Sequence, residues 1–401
     1  MKFDFFFKSP TIDSYYEPIW DNIMTIKEFK DMETCPHSKK WHKEGSPLEH
    51  TKMVLKNAIW YLSHGGFSEH VPIKGSKCGK VFLLAALFHD IGKPQATIEK
   101  NGDYTCPFHG EIGSGIARRL LFDEDIDVRE AVCFMVRKHM VMHNLSNYKD
   151  PLKIKKELAY FDACFYRDSL VTWDMMCALS LCDEMGSIRF DETFFEKYNR
   201  QAKLIDLPYV KCGISYDHPL RMEEYNELFD LCEKKDNDED PIDVFVMIGM
   251  AGSGKSTYIK EHNIDGLPNI SGLPVISRDI MRAELGYCKP GEKKILSKEQ
   301  EDEVSTALTN KMIELAGEGK SFVIDNMNLK LGYRMDYHRL LDPIHKIRWV
   351  YIYVEAPSIE ENIRRRKDDF GEKTESIVNS MIERFEYPYP WEYDILITQK
   401  Q

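Results

Sequence analysis

Glycines and two phosphate-binding side chains stand together in the run GMAGSGKST, which follows the apolar stretch 243–248. Glycines let a loop wrap its backbone N–H groups around phosphate oxygens, while a lysine serves the β- and γ-phosphates and a serine hydroxyl serves Mg²⁺. Here these roles fall to Gly249, Gly252, Ser253, Gly254, Lys255, Ser256 and Thr257. We therefore predict a site for ATP, or another nucleoside triphosphate, with Mg²⁺, between a strand and a helix at 256–262.

Histidines and carboxylates form a second set in the first half of the chain. They are His50 in LEHT, His89 and Asp90 in LLAALFHDIGK, His109 in FHGEIGSG, His139 in VRKHM and Asp183 in SLCDEMG. Neutral imidazole and carboxylate together are a ligand set for a first-row divalent cation, although a single histidine is more often a hydrogen-bonded helix residue. None of the ten cysteines has the CxxC spacing of a structural zinc site. The ordered series predicts a metal site with open coordination positions.

A carboxylate and a guanidinium follow the β-prone run 274–277, in the segment SRDIMR. A hydroxyl that attacks a γ-phosphate needs a nearby carboxylate, and a guanidinium fork suits a phosphodiester. Asp279 and Arg282 are therefore candidate catalytic residues. The alternative is that Asp279 caps a helix that begins at Ile280, and the two roles can coexist.

Further candidates lie near the expected phosphate site. Asp325 ends the β-prone run 322–325, so it either orients an arginine or a metal-bound water or caps the strand. Arg364, Arg365 and Arg366 follow the run 349–354 on a helical stretch. They either close over the transferring phosphate or form a solvated basic face, and the sequence does not say which arginine points inward.

The elements that position these residues differ between the two halves. Apolar residues recur at three- and four-residue spacing over 50–62, 80–89, 113–122, 128–139 and 169–185, where strand signals are nearly absent. Beyond the charged run CEKKDNDEDP, β-prone runs at 244–248, 274–277, 322–325, 349–354 and 394–398 alternate with helical ones. We predict an all-α helical domain over 1–231, an acidic linker at 232–241, and an α/β domain with a mostly parallel sheet over 242–401.

Composition limits the class of protein. A chain of 401 residues with 43% hydrophobic and 30% charged residues is typical of a soluble two-domain protein, and no apolar run approaches the ~18 residues that span a bilayer. The net charge of −12 argues against broad coating of nucleic acid but leaves room for a local basic groove. The beginning of the chain lacks the apolar core of a secretion signal, and the scattered cysteines indicate reduced thiols. We expect a cytoplasmic location and no membrane partner.

The segment HDIGK at 89–93, within the ordered His/Asp series, resembles the HD-domain phosphohydrolase superfamily. The resemblance implies metal-dependent phosphoester hydrolysis, with one metal held by His50, His89, Asp90 and Asp183 and, in two-metal members, a second by His109 and His139. It also implies that Lys93 meets a phosphate oxygen, the alternative being a solvated loop lysine. His42 is a further candidate, and His143 is an alternative to His139. The ligand set accepts Mn, Ni, Co, Fe or Zn.

The segment SRDIMR resembles the acceptor-site motif of phage-type 5′-OH polynucleotide kinases. That resemblance makes Asp279 the general base for the acceptor hydroxyl and places Arg282 on the phosphate one nucleotide in. The segment VIDNMNL is similar to the DxTN segment of the same kinases, with Met327 where threonine is usual. The arginines at 364–366 resemble the lid that closes over the transferring phosphate.

An HD half and a kinase half on one chain are similar to the HD-Pnk group of nucleic-acid end-healing enzymes. The pairing implies removal of a 3′-phosphate or a 2′,3′-cyclic phosphate by one half and ATP-dependent phosphorylation of a 5′-hydroxyl by the other. The implied partners are RNA or DNA strand ends, a nucleoside triphosphate and a ligase that acts downstream. Two alternatives stay open: an HD nucleotidase fused to a small-molecule nucleoside or nucleotide kinase, and a nucleotide-gated regulatory module with an idle metal site.

Overall fold

The helical periodicity of the first half forms helices in the computed structural model of the chain. The structure describes residues 3–8, 17–38, 42–63, 77–141, 170–188, 240–292 and 294–400. Contacts divide the chain into two compact units, Met1–Pro219 and Leu220–Gln401. Most of the predicted linker, residues 232–239, lies outside the described residues, so the domain boundaries at 231 and 242 stay predictions.

In the described part of the first unit, helices surround one apolar core. Their bounds are α1 Trp20–Ile23, α2 Lys27–Thr34, α3 Pro47–Ser63, α4 Lys77–Phe88, α5 Lys93–Ala96, α6 His109–Leu120, α7 Ile126–Lys138 and α8 Trp173–Gly186. From Val81 to Phe88, helix α4 is apolar on every side, and all of these residues are buried. A helix without a polar face can only lie at the centre, so α3, α7 and α8 pack around it.

A short antiparallel hairpin interrupts these helices, and it was not predicted. Strand β1 (Ile98–Lys100) pairs with β2 (Asp103–Thr105). The turn is Asn101-Gly102, and both residues have positive φ, 54° and 77°. An Asn-Gly pair is the preferred turn for a two-residue hairpin, so the local turn chemistry forms strands where their own exposed sequence carries little β signal.

The second unit contains the predicted parallel sheet. Its strands are β3 Ile242–Ile248, β4 Val275–Ile276, β5 Phe322–Ile324, β6 Ile347–Glu355 and β7 Ile395–Lys400. They lie in the order β4-β5-β3-β6-β7, and every neighbouring pair is parallel. The predicted fold class, helical first and then α/β with a mostly parallel sheet, is confirmed.

Helices connect these strands. They are α9 Lys255–Glu261, α10 Arg278–Glu284, α11 Lys298–Gly317, α12 Leu331–Leu341, α13 Ile359–Phe370 and α14 Thr374–Glu383. Ligands of open parallel sheets bind outside the carboxyl ends of the strands, and the glycine-rich run, Asp279 and Asp325 follow the ends of β3, β4 and β5. No helix within the described residues is both long enough and apolar enough to span a bilayer.

Candidate active sites

Five elements of the first unit bring the predicted His/Asp series together. His50 lies in the first turns of α3, the pair His89-Asp90 directly follows α4, and His109 is the first residue of α6. His139 ends α7 as its C-cap, and Asp183 lies on α8. All six belong to elements that pack against one another around α4, and His50, His89, Asp90 and His139 are almost fully buried.

Asp90 stands at the centre of this cluster. Its Oδ2 lies 3.8 Å from His50 Nε2 and 3.4 Å from His89 Nε2, while its Oδ1 lies 3.5 Å from His109 Nε2 and 3.9 Å from His139 Nε2. Two groups that could each hold an ion therefore share Asp90: His50, His89 and Asp90, and Asp90, His109 and His139. Asp183 Oδ1 joins the first group at 2.8 Å from His50 Nε2 and 3.9 Å from His89 Nε2.

The histidine rings are oriented by backbone carbonyl groups. The Nδ1 atoms of His89, His109 and His139 lie 2.8, 2.7 and 2.6 Å from the carbonyl oxygens of Ala86, Cys106 and Val136, each three residues earlier. A carbonyl only accepts, so each Nδ1 carries the hydrogen, and in a neutral ring Nε2 then presents a lone pair.

These lone pairs face one another. His109 Nε2 and His139 Nε2 are 3.0 Å apart, and His89 Nε2 is buried without a hydrogen-bond partner. Burial lowers the pKa of His139 to about 3, with the neighbouring His109 and His89 adding to the effect, and it also lowers the pKa of His109. Neutral imidazoles with converging lone pairs repel each other but suit a cation, so the donor set fits a divalent metal ion.

Glu44 contacts two histidines of the first unit, and the sequence did not reveal it. Its Oε1 lies 3.1 Å from His50 Nδ1 and 2.7 Å from His42 Nδ1, and its Oε2 accepts a 3.0 Å hydrogen bond from the N–H of Ile188. Burial alone would lower the pKa of His50, but its hydrogen bonds with Asp183 and Glu44 outweigh this and raise the pKa to about 9. A carboxylate behind a ligand histidine fixes the ring and increases its basicity, so Glu44 is placed to orient His50.

Lys93 begins α5 and is buried beside Asp90. Its Nζ lies 2.6 Å from Asp90 Oδ2 and 3.0 Å from His37 Nε2. Burial lowers the pKa of Lys93, but the Asp90 carboxylate outweighs it and the net pKa is raised, so the ammonium stays charged. His37, which the sequence did not reveal, stacks on His42 with ring centroids 3.7 Å apart. His143, the predicted alternative to His139, lies outside the described residues.

In the second unit, the glycine-rich loop has a backbone conformation that favours glycine. Gly249, Gly252 and Gly254 have φ values of 151°, 83° and 99°. A Cβ at Gly249 would lie 2.4 Å from the carbonyl oxygen of Val354, so a side chain cannot be accommodated there. Ser253 is fully buried, with its Oγ unbonded, and Thr257 is exposed on the first turn of α9.

The loop lysine and serine are positioned by short contacts. Lys255 Nζ donates 3.0 Å hydrogen bonds to the carbonyl oxygens of Gly249 and Met250. Burial lowers its pKa to about 8; the Asp325 and Asp279 charges oppose this shift and that of Arg366 adds to it. Ser256 Oγ donates to Asp325 Oδ2 at 2.9 Å, which puts a hydroxyl and a carboxylate together where Mg²⁺ would be held.

Asp279 and Arg282 lie one turn apart on α10. Ser277 caps this helix, since its Oγ accepts from the N–H of Ile280, and Asp279 is therefore not the N-cap. The Asp279 carboxylate is 76% exposed and accepts from Arg282 Nη1 at 2.6 Å. Glu301 on α11, which the sequence did not reveal, holds the other side of the Arg282 guanidinium at 2.9 Å. The carboxylate is thus held in place yet open to an acceptor.

The three arginines of α13 differ in position. Arg364 is 73% exposed and pairs with Glu361, whereas Arg365 Nη1 donates to the carbonyl oxygen of Gly252 at 3.2 Å. Arg366 is 16% exposed, and its Cδ lies 2.7 Å from the position of a Cβ on Gly252. Arg366 Nε is buried without a hydrogen-bond partner. Arg365 and Arg366 therefore contact the glycine-rich loop.

Comparisons with known proteins agree with these two sites at the level of domains. Residues 48–165 match the family model described as HD domain, and residues 244–388 match the one described as AAA domain. No curated protein matches the chain. An HD domain and a P-loop kinase-like domain are therefore present.

Three solved structures are similar to part of the chain. A putative kinase from Chloroflexus aurantiacus is 16% identical, and the match covers 40% of this chain and 89% of that chain with a TM-score of 0.32. A sugar kinase from Janibacter sp. is 23% identical, with 40% of this chain and 86% of that chain covered and a TM-score of 0.27. A gluconokinase from Sinorhizobium meliloti is 20% identical, with 40% of this chain and 82% of that chain covered and a TM-score of 0.27. TM-scores this low do not bear on the substrate.

Proposed function

We propose that this chain repairs nucleic-acid ends. The kinase-like domain phosphorylates a 5′-hydroxyl from ATP, and the HD domain removes a 3′-phosphate or opens and removes a 2′,3′-cyclic phosphate. These are the two ends that a ligase joins. The observation that carries the proposal is the exposed Asp279 carboxylate, held by Arg282 at the carboxyl edge of the sheet and within electrostatic reach of Lys255.

In the kinase-like domain, each residue has a separate task. Lys255 and Arg366 neutralise the charge that builds on the transferring phosphoryl group. Asp279 accepts the proton of the 5′-hydroxyl, and Arg282 binds the phosphodiester that follows the terminal nucleoside. Ser256 and Asp325 would hold Mg²⁺, while Arg365 keeps α13 against the loop through the Gly252 carbonyl group.

In the HD domain, His50, His89, Asp90 and Asp183 would hold one ion, and Asp90, His109 and His139 a second. When bound, such ions supply an activated water and neutralise phosphoryl oxygens. Lys93, charged and buried beside Asp90, binds a phosphate oxygen of the substrate. Glu44 holds the His50 ring in its orientation.

The test uses one oligonucleotide with a 5′-hydroxyl and a 3′-phosphate, incubated with ATP, Mg²⁺ and Mn²⁺, Ni²⁺ or Co²⁺, and both ends are resolved. We expect D279N to abolish 5′ phosphorylation and spare 3′ hydrolysis, and D90A to do the reverse. Controls are D302N, at an exposed residue, and D31A, at a half-buried residue that pairs with Lys27. Loss of both activities in either folded variant would contradict two independent sites, and faster turnover of free nucleosides and nucleotides would favour a small-molecule kinase.

A further inference from the structure

A cavity of about 920 Å³ lies within the second unit, beside the phosphate site but outside the residues that bind phosphate. Residues of α11, α12 and α14 and the segment after β5 line it. Its lining surface is mostly apolar and includes Leu308, Met312, Met327, Leu329, Ile377 and Met381. This volume is in the range of pockets that enclose a small ligand, about 300–1,000 Å³.

The cavity adjoins the segments that carry two catalytic candidates of the kinase-like domain. Two of its lining residues are direct neighbours of catalytic candidates, because Arg278 precedes Asp279 and Asn326 follows Asp325. The N–H of Arg278 donates to Asn326 Oδ1 at 3.1 Å and so joins the two segments. The N–H of Gly249, in the glycine-rich loop, donates to the carbonyl oxygen of Met327 at 3.0 Å. A ligand in the cavity therefore lies next to the acceptor position.

Polar groups in the wall are mostly bonded to one another. Tyr337 OH donates to Asn328 Oδ1 at 2.8 Å and accepts from Asn326 Nδ2, while the Arg278 guanidinium is held by Glu301 and Ser305. A free sugar carries hydroxyl groups on every side and needs many unbonded polar partners, which such a wall does not offer. A planar base needs apolar contact and a few polar groups at its edge.

The rim of the cavity adds an aromatic ring and positive charge. Tyr333 is 59% exposed and Met327 is 42% exposed. Met327 occupies the position where the resemblance to polynucleotide kinases led us to expect threonine, so an apolar side chain replaces a hydroxyl at the mouth. Lys330, Arg384 and Asp336 are also exposed lining residues, so two cations face one carboxylate. An apolar chamber with an aromatic and cationic rim matches a nucleobase followed by phosphodiesters.

We propose that this cavity binds the base of the acceptor's 5′-terminal nucleoside and so selects nucleic-acid ends over sugars and other small hydroxyl compounds. The inference rests on the proposed kinase function and names the part of the acceptor that the domain recognises. Stacking and apolar contact with one base give a difference of about 5- to 150-fold in affinity.

The experiment compares two 5′-hydroxyl oligonucleotides that differ only in the presence of the terminal base, and it measures KM and kcat for phosphorylation. We expect the abasic acceptor to have a KM about tenfold or more higher with the wild-type chain. S380W places an indole ring in the cavity from a half-buried position on α14 and should raise the KM of the normal acceptor towards the abasic value. E375W, on an exposed residue of the same helix that does not line the cavity, should behave as wild type.

Affinity for ATP and the thermal midpoint show whether S380W is folded, and the wild-type comparison of the two acceptors stands without it. Equal KM values for both acceptors with the wild-type chain would overturn the inference alone. If the wild type binds ATP but labels neither oligonucleotide, or labels ribose or a hexose instead, both the proposed function and this inference are wrong.

Discussion

Gly92, in the HDIGK segment, contacts the helix that carries a metal-ligand candidate. A Cβ on Gly92 would lie 2.1 Å from the carbonyl oxygen of His109 and 2.6 Å from the N–H nitrogen of Gly113. Gly92 has φ −80° and ψ −13°, which alanine adopts without strain. G92A therefore tests steric contact between two backbone segments and not backbone conformation.

The loss of stability expected for G92A follows from those distances. An ordinary contact needs about 3.4 Å, so the start of α6 must move by about 1.3 Å. Overpacking typically costs about 1–3 kcal/mol, and the upper end applies because backbone atoms on the facing segment cannot rotate away. About 3 kcal/mol lowers the thermal midpoint of a unit of this size by about 6–12 °C. His109 moves with α6, so we also expect weaker binding at the ion group of Asp90, His109 and His139.

Thermal unfolding followed by circular dichroism measures the midpoint, and elemental analysis after equilibration with Mn²⁺ or Ni²⁺ measures bound metal. G317A is a matched control, because nothing lies within 4 Å of a Cβ on Gly317. Gly317 is the last residue of α11, and alanine has a higher helix propensity than glycine, so this variant should not lose stability. A midpoint within about 2 °C of wild type, together with unchanged metal content, would refute the packing of HDIGK against α6.

Two further predictions concern one group in each site. E44A should weaken metal binding about 10- to 100-fold in a chelator competition, because it leaves His50 without its orienting carboxylate. E49A, at an exposed residue of α3, should leave metal affinity unchanged. Equal metal affinities of E44A and the wild type would mean that Glu44 does not position the His50 ring. Burial lowers the pKa of Lys255 to about 8, so its charge is lost as pH rises through 8. ATP affinity should therefore fall by up to about tenfold per pH unit between pH 8 and 10, with proton uptake on binding in calorimetry. A flat pH profile of ATP affinity in wild type would contradict the lowered pKa, and K255M should show a flat profile.

The sequence predicted the fold class because its apolar periodicities are strong. Helix α4 and strand β3 contain continuous apolar runs. The lengths and flanking residues of these runs predict a helix and a strand, and both runs are buried as their composition requires. The hairpin β1–β2 was missed because its strands have three residues each and no buried face. Its signal was the Asn101-Gly102 turn.

The site was predicted only where local motifs carry it. Glu44 and His37 were missed because their roles depend on contacts across the fold: Glu44 meets Ile188, and His37 meets Lys93, 56 positions away. The positions of the α13 arginines depend on helical phase. Buried Asn362 donates to the carbonyl oxygen of Ala251, and this fixes the face that Arg366 presents to the glycine-rich loop.

The buried histidine cluster of the first unit is electrostatically complementary to a cation, and the glycine-rich loop of the second unit is complementary to an anion such as a phosphate. In the first unit, His109 Nε2 and His139 Nε2 lie 3.0 Å apart in a buried space, and their lone pairs repel each other less when a cation lies between them. In the second unit, the cations Lys255 and Arg366 lie beside a loop of positive-φ glycines. Burial and the charge of Arg366 both lower the pKa of Lys255, and a bound anion reduces the repulsion between the two cations. Each site therefore gains stability from its own ligand, so metal and ATP should each raise the thermal midpoint of their own unit.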